Sequence, residues 1–321
     1  MRRNFRARCL VTTRLPSILF GIVIAIAAVD TVWASAGHFD IDAPAYGLLA
    51  LLTAALAAGG VFYDRVRKDE RLAAMLFATG FLIGMSAGFS VLNYLLITVA
   101  GARIDASLAA IDRAMGVDWP ALMAFVAHYP VTNMVLQLVY ISVLPQIALL
   151  TVALGFKGKP EQIYALCLSV AAGAAIAIFV WTLAPSFGAF SVYELPPAVA
   201  GHLVLALDGH YAKELIHLLA TGPGRISPSE AQGLIGFPSY HATLALLVVW
   251  NARKLPVIRW VALGINLVVL VATPIQGGHH VIDVLAGFAV AALAILLADS
   301  VLRLAAPADA ALPLKTQPAG L

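Results

Sequence analysis

Charge is scarce in this chain. Only 12% of its 321 residues are Asp, Glu, Lys or Arg, about half the share usual in a soluble domain, which excludes an ordinary water-soluble globule. Cysteine is scarcer still: Cys9 lies in a basic N-terminal stretch and Cys167 inside an apolar run, so neither a disulfide framework nor a C-x-x-C metal site follows. Short alternating strand patterns are missing, which argues against a membrane barrel. No internal repeat or low-complexity tract occurs. The pI near 8.9 does not indicate nucleic acid, because the basic residues do not gather on one solvated face.

What the chain has in abundance is apolar sequence: 61% hydrophobic residues and a mean hydropathy of +0.92. This composition implies an integral membrane protein, with the bilayer as a partner. Spans of about 20 apolar residues are expected at 15–36, 45–63, 72–100, 132–155, 162–184, 239–252, 256–276 and 280–302. The fold class is therefore all-α: a polytopic bundle of about eight transmembrane helices with interfacial helices on the outer face. It divides into a basic cytoplasmic tail (1–14), one transmembrane catalytic domain (15–304, motif-bearing core 132–304) and a flexible C-terminal tail (305–321). The first span also resembles a secretory signal ending at Ala34-Ser35-Ala36, but its apolar stretch is long for one and a retained helix is favoured. With a cytoplasmic N-terminus, 16 of the 20 basic residues fall on the cytoplasmic side. Arg103, Arg113, Lys213 and Arg225 alone face outward, a strong positive-inside asymmetry. This predicts cytoplasmic termini and an outer-face site, in a setting such as a bacterial inner membrane.

Two outer segments stand out. In "RIDASLAAIDRAMGVDW", Ile104, Leu108, Ile111 and Met115 follow helical spacing while Asp105 and Asp112 lie elsewhere. That fits an interfacial amphipathic helix anchored by Trp119, serving either as a connector over helix ends or in substrate binding. The loop from about 185 to 238 is long enough to carry function.

His241 opens one apolar run and His279 opens another, and the two intervening crossings return the chain to the same outer face. His279 and Asp283 are spaced i, i+4 and share a helix face. A carboxylate there can hold Nδ1–H and aim Nε2 outward as a nucleophile or base. Helix N-termini also supply N–H groups and a positive dipole end suited to phosphate. The arrangement favours phosphoryl chemistry, His279 attacking and His241 protonating the leaving oxygen. His280 has Val284 four residues on and lacks that carboxylate, so it supports or packs. Two other readings stay open: a bis-histidine haem protein, and a transporter in which Asp30 and Asp283 relay protons. The run from Pro238 to Arg253 reaches roughly 24 Å at 1.5 Å per residue, short of a full span, which sets His241 just below the outer boundary.

Pro238-Ser239-Tyr240-His241 resembles the P-S-G-H motif of the type 2 phosphatidic acid phosphatase superfamily, and His279 with Asp283 resembles the end of its S-R-x5-H-x3-D motif. The resemblance implies a metal-independent, cofactor-free lipid phosphatase or phosphotransferase, with His279 forming a phosphohistidine, Asp283 orienting it and His241 as general acid. Its substrate would be a phospholipid, sphingolipid or polyprenyl phosphate, with a polyol or lipid acceptor if the reaction is transfer. The chain departs from the pattern at three places: Tyr240 replaces the motif glycine, Ala272 and Thr273 replace Ser-Arg, and no Arg-Pro dipeptide exists. "FPSYHA" and "GGHHVIDVLAG" are similar to the branch that includes inositol phosphorylceramide synthases. For phosphate binding Ser239 belongs to the motif, Arg225 is the best-placed outer cation, and Lys213 follows.

Overall fold

The computed structural model describes residues 2–305, with side chains from Arg14 onward. The Cys9 side chain and the expected C-terminal tail lie outside the described residues. Those residues form α1 (Arg2–Gly37), α2 (Ala43–Phe62), α3 (Glu70–Leu96), α4 (Asp105–Ala114), α5 (Trp119–Ala127), α6 (Pro130–Ile141) and α7 (Val143–Phe156). There follow α8 (Pro160–Leu183), α9 (Pro197–Ala200), α10 (Gly209–Thr221), α11 (Tyr240–Ala252), α12 (Ile258–Gln276) and α13 (Val281–Ala305). The structure is 77% helical, no strand occurs among the described residues, and the all-α membrane bundle stands as expected.

Among the described residues, six helices are long and apolar enough to cross a membrane: α1, α2, α3, α8, α12 and α13. The pair α5 and α6, bent by 114° at Pro130, makes a seventh if counted as one span. The apolar helices α7 and α11 are only 14 and 13 residues long. The span expected at 132–155 is divided into α6 and α7 at Ser142. Pro145 accounts for the break, because it has no N–H to give the Ile141 carbonyl and its ring crowds that turn.

The main core joins α1, α3, α7, α8, α11, α12 and α13, with Leu15, Leu19, Phe81, Leu154, Leu166, Cys167 and Leu247 shut off from the surroundings. Within it α11 packs against α7, α8, α12 and α13. The crossing of α11 and α13 is tight because Gly287 has no side chain: a Cβ there would lie 2.7 Å from the Ser239 carbonyl oxygen. Thr243 Oγ1 sits between the Ser239 and Gly287 carbonyls at 3.0 and 3.1 Å, with one proton for the two. This close approach sets the first turns of α11 and α13 side by side and brings two distant sequence motifs together.

Two smaller clusters cover that end of the bundle. One gathers Trp181, Phe187, Leu215, Ile226 and Leu234; the other gathers Trp119, Met123, Tyr140 and Ile275. Trp119, expected as an interfacial anchor, is instead 1% exposed. Its Nε1–H donates to the Pro274 carbonyl at 2.9 Å and its ring meets Phe190 and Tyr193, so it braces the end of α12.

Candidate active site

Ser239 is the N-cap of α11, its hydroxyl oxygen accepting from the Ala242 N–H at 3.3 Å. The next turn carries His241, whose ring stacks on Tyr140 from α6 with centroids 4.2 Å apart and planes 13° off parallel. The Tyr140 hydroxyl lies 3.2 Å from His241 Nδ1, which fixes that edge of the ring and leaves Nε2 for other work.

His279 stands in the turn before α13. Its Nδ1 is 3.3 Å from Asp283 Oδ2, and its Nε2 is 3.4 Å from the Ser239 hydroxyl. Asp283 is wholly buried, and the same oxygen accepts the His280 N–H at 2.8 Å, so the carboxylate is oriented before it orients the imidazole. Two glycines make the turn. Gly278 adopts φ +60, which an L side chain rarely tolerates. A Cβ at Gly277 would come within 2.5 Å of the Tyr140 hydroxyl and 2.9 Å of His279 Cδ2. Burial pulls the His279 pKa down to about 4, against a raising effect of the Gly236 carbonyl; its imidazole is neutral at pH 7 and carries a lone pair.

His241 and His279 line one cavity of about 310 Å³, walled also by Tyr140, Tyr211, Tyr240 and Phe187. The structure thus brings together His241, His279 and Ser239, with Asp283 behind His279. A second, mostly apolar cavity of about 840 Å³ lies among α2, α3, α7 and α8, and shares Gly233, Ile235 and Tyr240 with the first. Tyr240, at the motif glycine position, is part of the wall between them, its hydroxyl donating to the Val170 carbonyl at 3.0 Å.

The basic residues expected to hold phosphate stand elsewhere. Arg225 pairs with Asp42 at 3.2 Å, tying the segment before α11 to the α1–α2 turn. Lys213 points into a separate cavity of about 350 Å³ beside Phe190 and Tyr193. Arg113 donates to the Tyr193 hydroxyl at 2.9 Å. Arg103 is held by Asp105 through Nε at 2.9 Å and a second nitrogen at 2.8 Å, its guanidinium resting over the Phe187 ring. No lysine or arginine lines the histidine cavity among the described residues.

One helix end expected to offer amides to phosphate is also occupied. The Asp112 carboxylate accepts the Val281 and Ile282 N–H groups at 2.7 and 3.0 Å and so caps α13. Asp105 takes the Ser186 hydroxyl and the Phe187 and Gly188 N–H groups at 2.8, 2.7 and 3.1 Å, shaping the loop that walls the cavity. Both aspartates are 2% exposed. Sequence reasoning left them on the polar side of an interfacial helix; α4 turns them into the protein together with Leu108, while Ile111 and Met115 of the expected apolar stripe face outward. The available signal was their spacing of seven, which puts two carboxylates on one face where membrane surroundings demand partners for them.

A sequence model described as the PAP2 superfamily matches residues 106–297, more than half of the chain and all of the residues just described except Asp105 and the basic ties at Arg103 and Asp42. No curated protein and no solved structure gives a significant match.

Proposed function

The chain belongs to the PAP2 superfamily, whose members are generally phosphatases or phosphotransferases acting on lipid phosphates in a membrane, and on that premise we propose that it transfers a phosphoryl group of a membrane lipid through His279. The observation that carries this reading is the pairing of His279 Nδ1 with buried Asp283 while Nε2 opens on the cavity that His241 shares. Nε2 attacks phosphorus, the bond to the leaving oxygen breaks, and His241 delivers the proton that oxygen takes up. Water or an alcohol then attacks the phosphohistidine, gives its proton to His241 and frees His279. Hydrolysis and transfer differ only in that acceptor.

The adjoining cavity of about 840 Å³ supports a lipid rather than a soluble ester, since it offers apolar room for tails beside the reacting centre. The charge distribution supports a site on the outer face and cytoplasmic termini. The test is turnover of a panel of lipid phosphates and phospholipids, reading released phosphate or headgroup and any new lipid by mass. His241→Ala and His279→Ala should each lower turnover by about 10²-fold or more. Turnover of none of the panel, or full activity in both variants, overturns the proposal.

A further inference from the structure

With Ala272 and Thr273 in place of Ser-Arg and no Arg-Pro dipeptide, the non-bridging oxygens of a transferred phosphoryl group need partners other than the motif cations. His241 does not serve them, because its proton goes to the leaving oxygen. Amides on the cavity wall are committed as well: Gly188 N–H to Asp105, Gly236 N–H to the Ser186 carbonyl and Gly277 N–H to the Thr273 carbonyl, each at 3.1 Å. The same wall carries three tyrosine hydroxyls. That of Tyr140 is engaged with His241 at 3.2 Å, and that of Tyr240 donates to the Val170 carbonyl at 3.0 Å. The Tyr211 hydroxyl alone has no hydrogen-bond partner among the described residues.

The sequence builds a firm mount for that phenol. Asp208 caps α10, its Oδ1 accepting the His210 and Tyr211 N–H groups at 2.9 and 3.4 Å. Tyr211 and Leu215, spaced i, i+4, share the helix face turned to the cavity, while Lys213 and Glu214 lie on the exposed side. Glu214 Oε2 accepts the Gln232 Nε2–H at 2.9 Å, and the Leu207 N–H donates to the Gln276 carbonyl at 3.0 Å. The helix is thereby tied to the segment before α11 and to the end of α12. Burial, and after it proximity to Tyr140, raises the Tyr211 pKa above the ordinary phenol value, so the hydroxyl keeps its proton at neutral pH and stays a donor.

We propose that the Tyr211 hydroxyl donates a hydrogen bond to a non-bridging oxygen of the phosphoryl group, in the place of a motif cation. This rests on the phosphoryl-transfer reading given above and adds a catalytic residue to it. As His279 Nε2 closes on phosphorus, negative charge is spread over the non-bridging oxygens. A donor already aimed at them favours that state over the bound substrate. The phenol keeps its proton throughout: the P–N bond forms, the bond from phosphorus to the leaving oxygen breaks, and His241 supplies the proton that departs with the alcohol. The same contact holds in the second step, while water or an alcohol displaces the ring and returns a proton to His241.

The experiment uses the full-length protein and whichever lipid of the panel it turns over. Tyr211→Phe keeps the ring and removes only the donor. It should lower kcat/KM by about tenfold or more, chiefly through kcat, with thermal unfolding near that of the wild type because no protein group loses a partner. Sulfur in place of a non-bridging oxygen accepts hydrogen bonds poorly, so the phosphorothioate of the same lipid separates contact from packing. The wild type should be slowed by sulfur at least about threefold more than Tyr211→Phe. Each ratio is taken within one protein and does not depend on how much of it is folded. Equal slowing, or full activity in Tyr211→Phe, overturns the proposal while leaving phosphoryl transfer intact. If no lipid of the panel is turned over, the transfer reading fails, and binding of orthovanadate to the detergent-solubilised protein decides the contact alone. Binding at least about tenfold weaker in Tyr211→Phe than in the wild type supports it; equal binding, or none to the wild type, overturns it.

Discussion

His279 and His280 are neighbours in the chain with opposite surroundings. His279 has Asp283 at one nitrogen and Ser239 with the cavity at the other. His280 is wholly buried, and neither of its ring nitrogens has a hydrogen-bond partner among the described residues. A labelled phosphoryl group trapped during turnover should therefore sit on His279, stable in alkali and labile in acid. His280→Asn should keep the label while lowering stability, and label on His280 or on Ser239 would reassign the roles. The low pKa of His279, about 4 by burial, adds a pH expectation. Protonation removes the attacking lone pair, so the limb of kcat/KM due to this residue falls as pH drops through about 4, rather than through the 6.5 of an ordinary imidazole. A diester substrate, which does not titrate in that range, lets the limb be measured cleanly. The pair His279 and Asp283 was legible in the sequence because helical spacing alone puts them together. The stacking of Tyr140 on His241 was not, since it depends on how α6 meets α11.

At the scale of the element, α4 does more for the site than its length suggests. Its two buried carboxylates fix the Ser186–Gly188 loop and the start of α13, which carry cavity wall and the proposed catalytic side chains. Replacing Asp112 by Ala leaves the Val281 and Ile282 amides without acceptors at a buried helix end. The expected cost is about 1–2 kcal/mol of stability, in line with a lost cap, with a fall in turnover because His279 and Asp283 flank that end. Asp112→Asn keeps one acceptor oxygen and should recover most of the stability. Thermal unfolding in detergent, set beside turnover, measures both, and an unchanged melting point in Asp112→Ala would remove the capping role. The amphipathic pattern of this segment was plain in the sequence, but its meaning differs at a membrane. There apolar residues can meet lipid, so the hydrophobic stripe alone does not mark the inward side: Leu108 is buried while Ile111 and Met115 are exposed, and polar residues are free to bind protein. The same ambiguity blurred the expected span at 132–155, where composition alone could not show that Pro145 would part α6 from α7.

Across the whole molecule, the site lies where α11 and α13 begin, and the opposite end of the bundle receives the basic turns around Arg65 to Lys68, Lys157 to Lys159 and Arg253 to Lys254. The two ends differ in kind as well as in count. At the site end three of the four cations are engaged, with Asp42, Asp105 and Tyr193, whereas the turns at the other end hold exposed Arg65, Arg67, Lys68 and Lys254. Basic residues in short loops beside spans resist translocation, and this bias sets orientation. The site should therefore open away from the cytoplasm. The check uses single cysteines in a Cys9→Ser background, where the remaining Cys167 is buried and contributes little labelling. A cysteine at Ala220, exposed at the end of α10, should react in intact cells or spheroplasts with a membrane-impermeant thiol reagent. One at Lys254, exposed in the turn after α11, should react only once the membrane is permeabilised. If Lys254→Cys labels first and Ala220→Cys is protected, the end carrying the proposed site faces the cytoplasm, and the lipid it meets must be sought in the inner leaflet.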